Sequence, residues 1–449
     1  MEKKRRKILY YTFLAIFVLG SIYLVIITQG LTIDWKKLTI IKTGAIYVRS
    51  TPLNTEIYVN NKQYKSEDGI ISRGTLIKNL KPGIYTVAIT KEGFSSWIKT
   101  ISVEKGMVSS ESFIKLWEKN PTIEEIASSS IKNFWVTDGG VFLQNDASKI
   151  FMGENTIRGN EVIHYSVKTG EIITKDKNNN LFFIDATNPN IATNIQELFN
   201  SLKQRELKLP GIVKILTAFP HPFSRSKIII ATKTSLYIID LKKVSIEKIL
   251  EIEGINEVFL DSTRIFVKNN EGNVAMVNLL IKNDPEIMYT SSTEIYAPIV
   301  TNSYLLFIGK QNTLFSYDRA TKNVSIIAER VKYFSLSPEE KRVGIIFENG
   351  TLGIIYIANY SGNILVEKGT INLLTLNNSA ENIKFESIEW LPGYPNHIIA
   401  STKNSVWAIE ANEKNPQNAV LLSQDIKKYT LRGDFYFLDT SGNLKTVVY

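Results

Sequence analysis

Eight strand–turn–strand units recur through residues 121–449 at a spacing that few architectures accept. They begin at Asn133 (NFWVTDGGVFLQ), Glu171, Lys227, Arg264, Tyr304, Arg342, His397 and Asp434. Each reads as an apolar strand, a polar Gly/Asn turn and a second apolar strand, the pattern of a β-hairpin. The turn centres fall near Gly139, Asn179, Thr234, Gly272, Asn312, Gly350, Asn404 and Gly442, at intervals of 40, 55, 38, 40, 38, 54 and 38 residues. A four-stranded propeller blade takes about 40–45 residues. The spacing therefore predicts an all-β chain whose residues 121–449 close into a β-propeller. Eight blades are expected, or seven if the first or last hairpin completes a shared blade. The two long intervals read as loop insertions.

A further strand precedes most hairpins, such as NEVFLD before Arg264 and ESIEWLP before His397. FSLSPEEKRVGIIF (Phe334–Phe347) and IEWLPGYPNHIIAS (Ile388–Ser401) resemble the strand–turn–strand of WD40-like and TolB-like propellers. That resemblance implies an architecture and no particular function. The first insertion holds TNIQELFNSLKQREL, residues 193–207. Ile195, Leu198, Phe199 and Leu202 follow helical spacing, and Asn194 with Glu197 forms a capping box. Leu198 and Phe199 are the candidate binding residues if this helix docks a partner, and deleting 194–207 would then spare the propeller. In the competing expectation the same face packs on its own blades.

Upstream, residues 43–118 alternate in short strands. GAIYVRSTP (Gly44–Pro52), TEIYVN (Thr55–Asn60), LKPGIYTV (Leu80–Val87) and EGFSSW (Glu92–Trp97) occur in that order. Pro82-Gly83 reads as a type II turn, and Trp97, Ile98, Ile101 and Val103 as packing residues. This segment resembles the PEGA domain family, with Asn60-Asn61 where the family often has Asp-Gly and without its usual Thr-Pro. The resemblance implies a small β-sandwich with no catalysis.

The amino terminus reads as an anchor. Residues 1–7 (MEKKRRK) carry five cations, and residues 8–28 contain no charge. As a helix the uncharged run spans about 31 Å, against a hydrocarbon core of about 30 Å. The flanking charges predict a cytoplasmic stub at 1–7, a transmembrane helix at 8–28 and a linker at 29–42, with the bulk of the chain outside. A cleaved signal peptide would have a shorter apolar run and a small-x-small site, which ITQGLTIDW lacks.

Chemistry is sparse. Of the net charge of +9, the first seven residues hold +4, so the remainder is too dilute for a nucleic-acid footprint. There is no cysteine, and the three histidines, His164, His221 and His397, are far apart in sequence. No phosphate loop, nucleophile elbow or zinc-binding spacing is present. Acidic turns such as FIDATNPN and FLDTSGN are of a kind that hairpins need in any case. The candidate inner strands VFLDS (Val258–Ser262), APIVT (Ala297–Thr301) and KYFSLS (Lys332–Ser337) offer one carboxylate, Asp261. The expectation is a membrane-anchored extracytoplasmic binding or scaffolding protein of the cell envelope, with a protein or glycan partner and no nucleic acid. No cofactor, metal or catalytic residue is expected. The alternative is a propeller enzyme acting on envelope glycan, which a cluster of buried ionisable groups at a channel mouth would favour.

Overall fold

The computed structural model describes residues 3–28, 30–34, 39–67, 74–128, 130–261, 263–280, 285–289, 296–362, 365–377 and 383–447. Helix α1 covers Lys3–Thr28, and a hairpin of Leu31–Asp34 with Thr39–Lys42 follows it. Among the described residues no helix is long and apolar enough to cross a membrane. Within α1 the side chains are described without interruption only over residues 5–21, whereas a span needs about 20 apolar residues.

Two sheets make the small domain. Gly44–Thr51 lies between Thr75–Leu80 and Val108–Lys115, while Glu56–Val59 and Gly83–Thr90 centre a four-stranded sheet edged by Trp97–Val103. Ile46, Val48, Ile57, Val87, Ile89, Trp97 and Ile101 fill the space between them. Asn60 and Asn61 both take positive φ, 46° and 65°, as a tight two-residue hairpin requires. Gly83 lies at φ 159°, far from the roughly +80° of a type II turn, so that expectation is corrected. The packing expectation for Ile98 is corrected too. Strand Trp97–Val103 alternates buried and exposed, so Trp97, Lys99, Ile101 and Val103 point inward and Ile98 is 47% exposed.

The described residues of the remainder form eight four-stranded antiparallel sheets, numbered here in chain order. Their first strands are Ile131–Thr137, Glu161–Tyr165, Thr217–Pro220, Ile255–Leu260, Tyr296–Val300, Val331–Leu336, Ser387–Trp390 and Ile426–Arg432. Ring closure follows from two observations. Ile123–Ala127, which precedes sheet 1, is the fourth strand of sheet 8, with Ile123 opposite Val447 and Glu124 opposite Thr446. Moreover, eight apolar clusters are each shared by two consecutive sheets, from Phe142 with Ile172 between sheets 1 and 2 round to Leu143 with Leu438 between sheets 8 and 1. A set of sheets packed face to face that returns to its start is a propeller.

Seven of the eight hairpins join the second and third strands of a sheet. The one starting at Asn133 instead joins the first and second strands of sheet 1. The insertions lie between sheets 2 and 3 and within sheet 6, where Tyr360–Ser361 pairs with Leu365–Val366 before the fourth strand, Ile371–Leu373. The closing strand is Ile123–Ala127. Trp117 belongs to the core between sheets 7 and 8, while its neighbour Leu116 belongs to the sandwich. A cut at residue 121 therefore removes a ring core residue.

Helix α2, Ile195–Glu206, is capped by Asn194, whose Oδ1 accepts from the Gln196 and Glu197 amides and whose Nδ2 donates to Glu197 Oε1 at 2.7 Å. Ile195, Phe199 and Leu202 are fully buried with Ile173, Ala218 and Ile230 between sheets 2 and 3. Leu198 is half-buried against the same core. The helix packs on its own blades, Phe199 has no surface to offer a partner, and deleting 194–207 would open that core.

The sandwich is docked on sheet 7. Lys99 Nζ lies 3.0 Å from Glu410 Oε2 and donates to Asn412 Oδ1 at 2.8 Å, while Trp97 Nε1 donates to Glu410 Oε1 at 3.3 Å. A second pair, Lys414 to Glu111 at 2.8 Å, flanks the first.

Candidate binding site at the channel mouth

Because every sheet is antiparallel, the loops after its first and third strands leave the same side of the ring. On that side the first strands of sheets 2, 3, 4 and 8 end at Tyr165, Pro220, Leu260 and Arg432. These residues line one cavity of about 390 Å³, together with Lys168, Phe223 and Asp261. Sheets 4 and 8 stand opposite each other in a ring of eight, so a cavity touching both lies at the mouth of the central channel.

Its walls combine rings and charges. Tyr165 and Phe223 are each 37% exposed. Lys168 Nζ stands 5.2 Å from the Phe223 ring centroid, and Arg432 and Asp261 complete the lining. The sequence FPHPFSRS seats Phe223. His221 is buried, and its Nδ1 accepts from the Phe223 amide at 3.3 Å. Burial, with help from Lys227, depresses the His221 pKa to about 4 and keeps the ring neutral. His221 is thus a buried support of the loop and not a solvated residue.

Behind the mouth, Glu171 ties sheet 2 to sheet 3. It accepts from Thr169 Oγ1 at 2.9 Å and from the Ser226 amide. Burial raises its pKa from 4.5 to about 7, against the pull of those hydrogen bonds. Between these values the folded chain holds a proton that the unfolded chain has lost. Its contribution is therefore fully present below about pH 4.5 and fades as pH rises through about 7. The three histidines act in the opposite sense. Each is depressed from 6.5 to about 4, chiefly by burial, so each stabilises above pH 6.5 and loses that contribution as pH falls through about 4. The readable quantity is the unfolding free energy of wild type minus that of Glu171→Gln. It should fall as urea titrations move from pH 5 to pH 7.5. A flat difference would show that Glu171 does not titrate there.

A second cavity, on the opposite side of the ring between sheets 7 and 8, is polar in a different way. Ser387, Glu389, Ser401, Lys428 and Tyr429 line a cavity of about 260 Å³. Ser387 Oγ is 2.5 Å from Ser401 Oγ and 3.2 Å from the Tyr429 hydroxyl. Burial raises Glu389, with Arg432 opposing, and lowers Lys428, which reaches Asn133 Oδ1 at 3.2 Å. These are the ionisable groups that the inner strands named from sequence lacked. They sit on first strands of sheets 7 and 8, where charges interrupt the apolar alternation of SIEW and IKKYTLR. Ser262 and the Ala297 side chain lie outside the described residues.

His164 Nε2 meets Thr217 Oγ1 at 3.1 Å and its ring packs on Phe219, and His397 is buried beside the sandwich, near Trp97 and Lys115. The acidic turns are occupied by their own backbone: Asp439 accepts from the Asn443 amide at 2.9 Å and meets Lys445 at 2.8 Å, and Asp185 accepts from the Thr187 amide. Among the described residues no three His, Asp or Glu groups are placed to hold a metal. Leu198 and Phe199 line neither cavity.

No curated protein matches the chain. Among solved structures, BamB from Moraxella catarrhalis is 11% identical with a TM-score of 0.44, covering 73% of this chain and 100% of that one. The computationally designed Ika8 protein is 10% identical at 0.45, covering 72% and 97%. Hsv2 from Kluyveromyces lactis is 10% identical at 0.41, covering 66% and 98%. Likenesses this distant add nothing to the ring already derived from its own sheets. Residues 43–112 match the family described as PEGA domain, a match that covers the sandwich and none of the ring.

Proposed function

We propose that this chain is a membrane-anchored, extracytoplasmic binding protein of the cell envelope, whose propeller receives an acidic group of an envelope glycan or protein at the channel mouth. The observation that carries the reading is the pairing of two half-exposed rings, Tyr165 and Phe223, with Lys168 and Arg432 around one cavity. Rings supply flat apolar area, and the cations supply attraction for a carboxylate. Asp261 on the same lining favours ligands that also carry donors. The anchor is supported by the uncharged run at 8–28 and by the exposed Ile8, Phe13, Phe17 and Leu19 of α1. A helix that turns such residues outward is at home in lipid.

Titration of the full chain in nanodiscs with carboxylated oligosaccharides and acidic peptides tests this. The Lys168→Ala/Arg432→Ala variant should bind about tenfold more weakly, at about 1.4 kcal/mol per decade. Equal affinity would refute the mouth as the site. The second reading, a glycan-acting enzyme, is favoured by one observation, the half-buried Glu389 beside Tyr429 and Ser387. Turnover of an envelope glycan that Glu389→Gln abolishes would establish it instead.

A further inference from the structure

We infer that the sandwich turn carrying Met107 and Val108 is a lipid-facing surface that rests on the bilayer holding α1. The inference rests on the anchored reading above and adds a second, defined contact with the membrane.

Two backbone hydrogen bonds connect the end of α1 to this turn. The Thr43 amide donates to the Gly30 carbonyl at 2.7 Å, and the Gly106 amide donates to the Thr43 carbonyl at 2.9 Å. Gly30 is two residues beyond Thr28, the last residue of α1. With consecutive Cα atoms about 3.8 Å apart and hydrogen-bonded backbones about 4.8 Å apart, the turn lies within roughly 20 Å of the helix end. Wherever the helix leaves the hydrocarbon, the turn is within that distance of it.

The chemistry of the turn suits that place. Met107 is 60% exposed and Val108 57%, two adjacent apolar side chains turned away from the sandwich core. Lys42 and Lys105 flank them, with Glu104 as the one acid of the turn. Gly106 sits at φ 71°, and a Cβ there would come within 2.7 Å of Lys42 Cε. The glycine thus lets the lysine stem lie across the turn. Apolar tips bordered by ammonium groups with apolar stems are the composition of interfacial contacts.

Since the chain has no cysteine, a single introduced one can be labelled uniquely. Met107→Cys, Leu19→Cys and Val244→Cys would each carry an environment-sensitive fluorophore in the full chain. Val244 is in the loop before the fourth strand of sheet 3, across the ring from sheet 7. The probes are bilayers of phosphatidylglycerol and phosphatidylcholine, with and without brominated acyl chains. The expected result is loss of emission in brominated lipid at 19 and at 107, and none at 244. Quenching at 19 with none at 107 would overturn the surface while leaving the anchor intact. No quenching at 19 would overturn the anchor, and with it this inference.

Discussion

Replacing Arg342 with methionine should cost roughly 3–5 kcal/mol of unfolding free energy, because a buried cation's partners are left without it. Arg342 starts the second strand of sheet 6 and has no exposed surface. Its Nε donates to Glu339 Oε1 at 2.6 Å, Nη2 to the Pro395 carbonyl at 2.6 Å, and Nη1 to the Ala411 carbonyl at 3.0 Å and Asn396 Oδ1 at 3.3 Å. The guanidinium lies 4.2 Å from the Tyr360 ring and 4.9 Å from Trp390. One side chain thus joins sheet 6 to both loops on the same side of sheet 7. Lysine keeps the charge but offers no planar fork, so Arg342→Lys should fall between wild type and methionine. Urea unfolding reads this as a lower midpoint at unchanged slope. A loss under about 1 kcal/mol for the methionine variant would mean the junction holds without it.

Lys99→Met should be nearly as damaging, and at a different place. It strands the Glu410 carboxylate, which sits in the junction between sandwich and ring with the Asn412 and Asn418 amides donating to it. Roughly 3–5 kcal/mol is again the scale for one partner removed from a buried pair. Changing both partners, Lys99→Met/Glu410→Gln, removes the stranded charge and should recover much of the loss, a coupling that a double-mutant cycle measures. Scattering should show the single variant with a larger radius of gyration, as the sandwich leaves sheet 7. Equal radii and equal stabilities would show that the pair does not hold the domains together.

How much of this could be read from the sequence depends on the range of the interactions. Hairpins are local: Gly272, Gly350 and Gly442 take positive φ in turns where the repeat placed them. The capping box at Asn194 and Glu197 is equally local and formed as its spacing implied. The buried ions are not local. Arg342 meets residues about fifty to seventy positions away, and Lys99 meets one 311 positions away. One sign of the second was present. In Trp97–Val103 the inward positions are 97, 99, 101 and 103, so the alternation turns a lysine inward with two aliphatics and a tryptophan. An inward lysine requires an acidic partner from outside the strand. The channel mouth was hidden for a related reason. Tyr165, Phe223, Asp261 and Arg432 come from four sheets, and only ring closure brings them to one cavity. Phe199, by contrast, matched the spacing of a docking face and of a core face alike, and only burial separates the two.

The central claim is that the ring binds its ligand at the mouth where first strands end. The most direct measurement repeats the ligand titration and reads it by hydrogen exchange across the whole chain. At saturation, the amides of residues 165–168 and of His221, Phe223 and Asp261 should gain protection, with the Lys168→Ala/Arg432→Ala variant showing none. Protection confined to α2, or to residues 387–389 and 427–429 on the opposite side of the ring, would contradict the account.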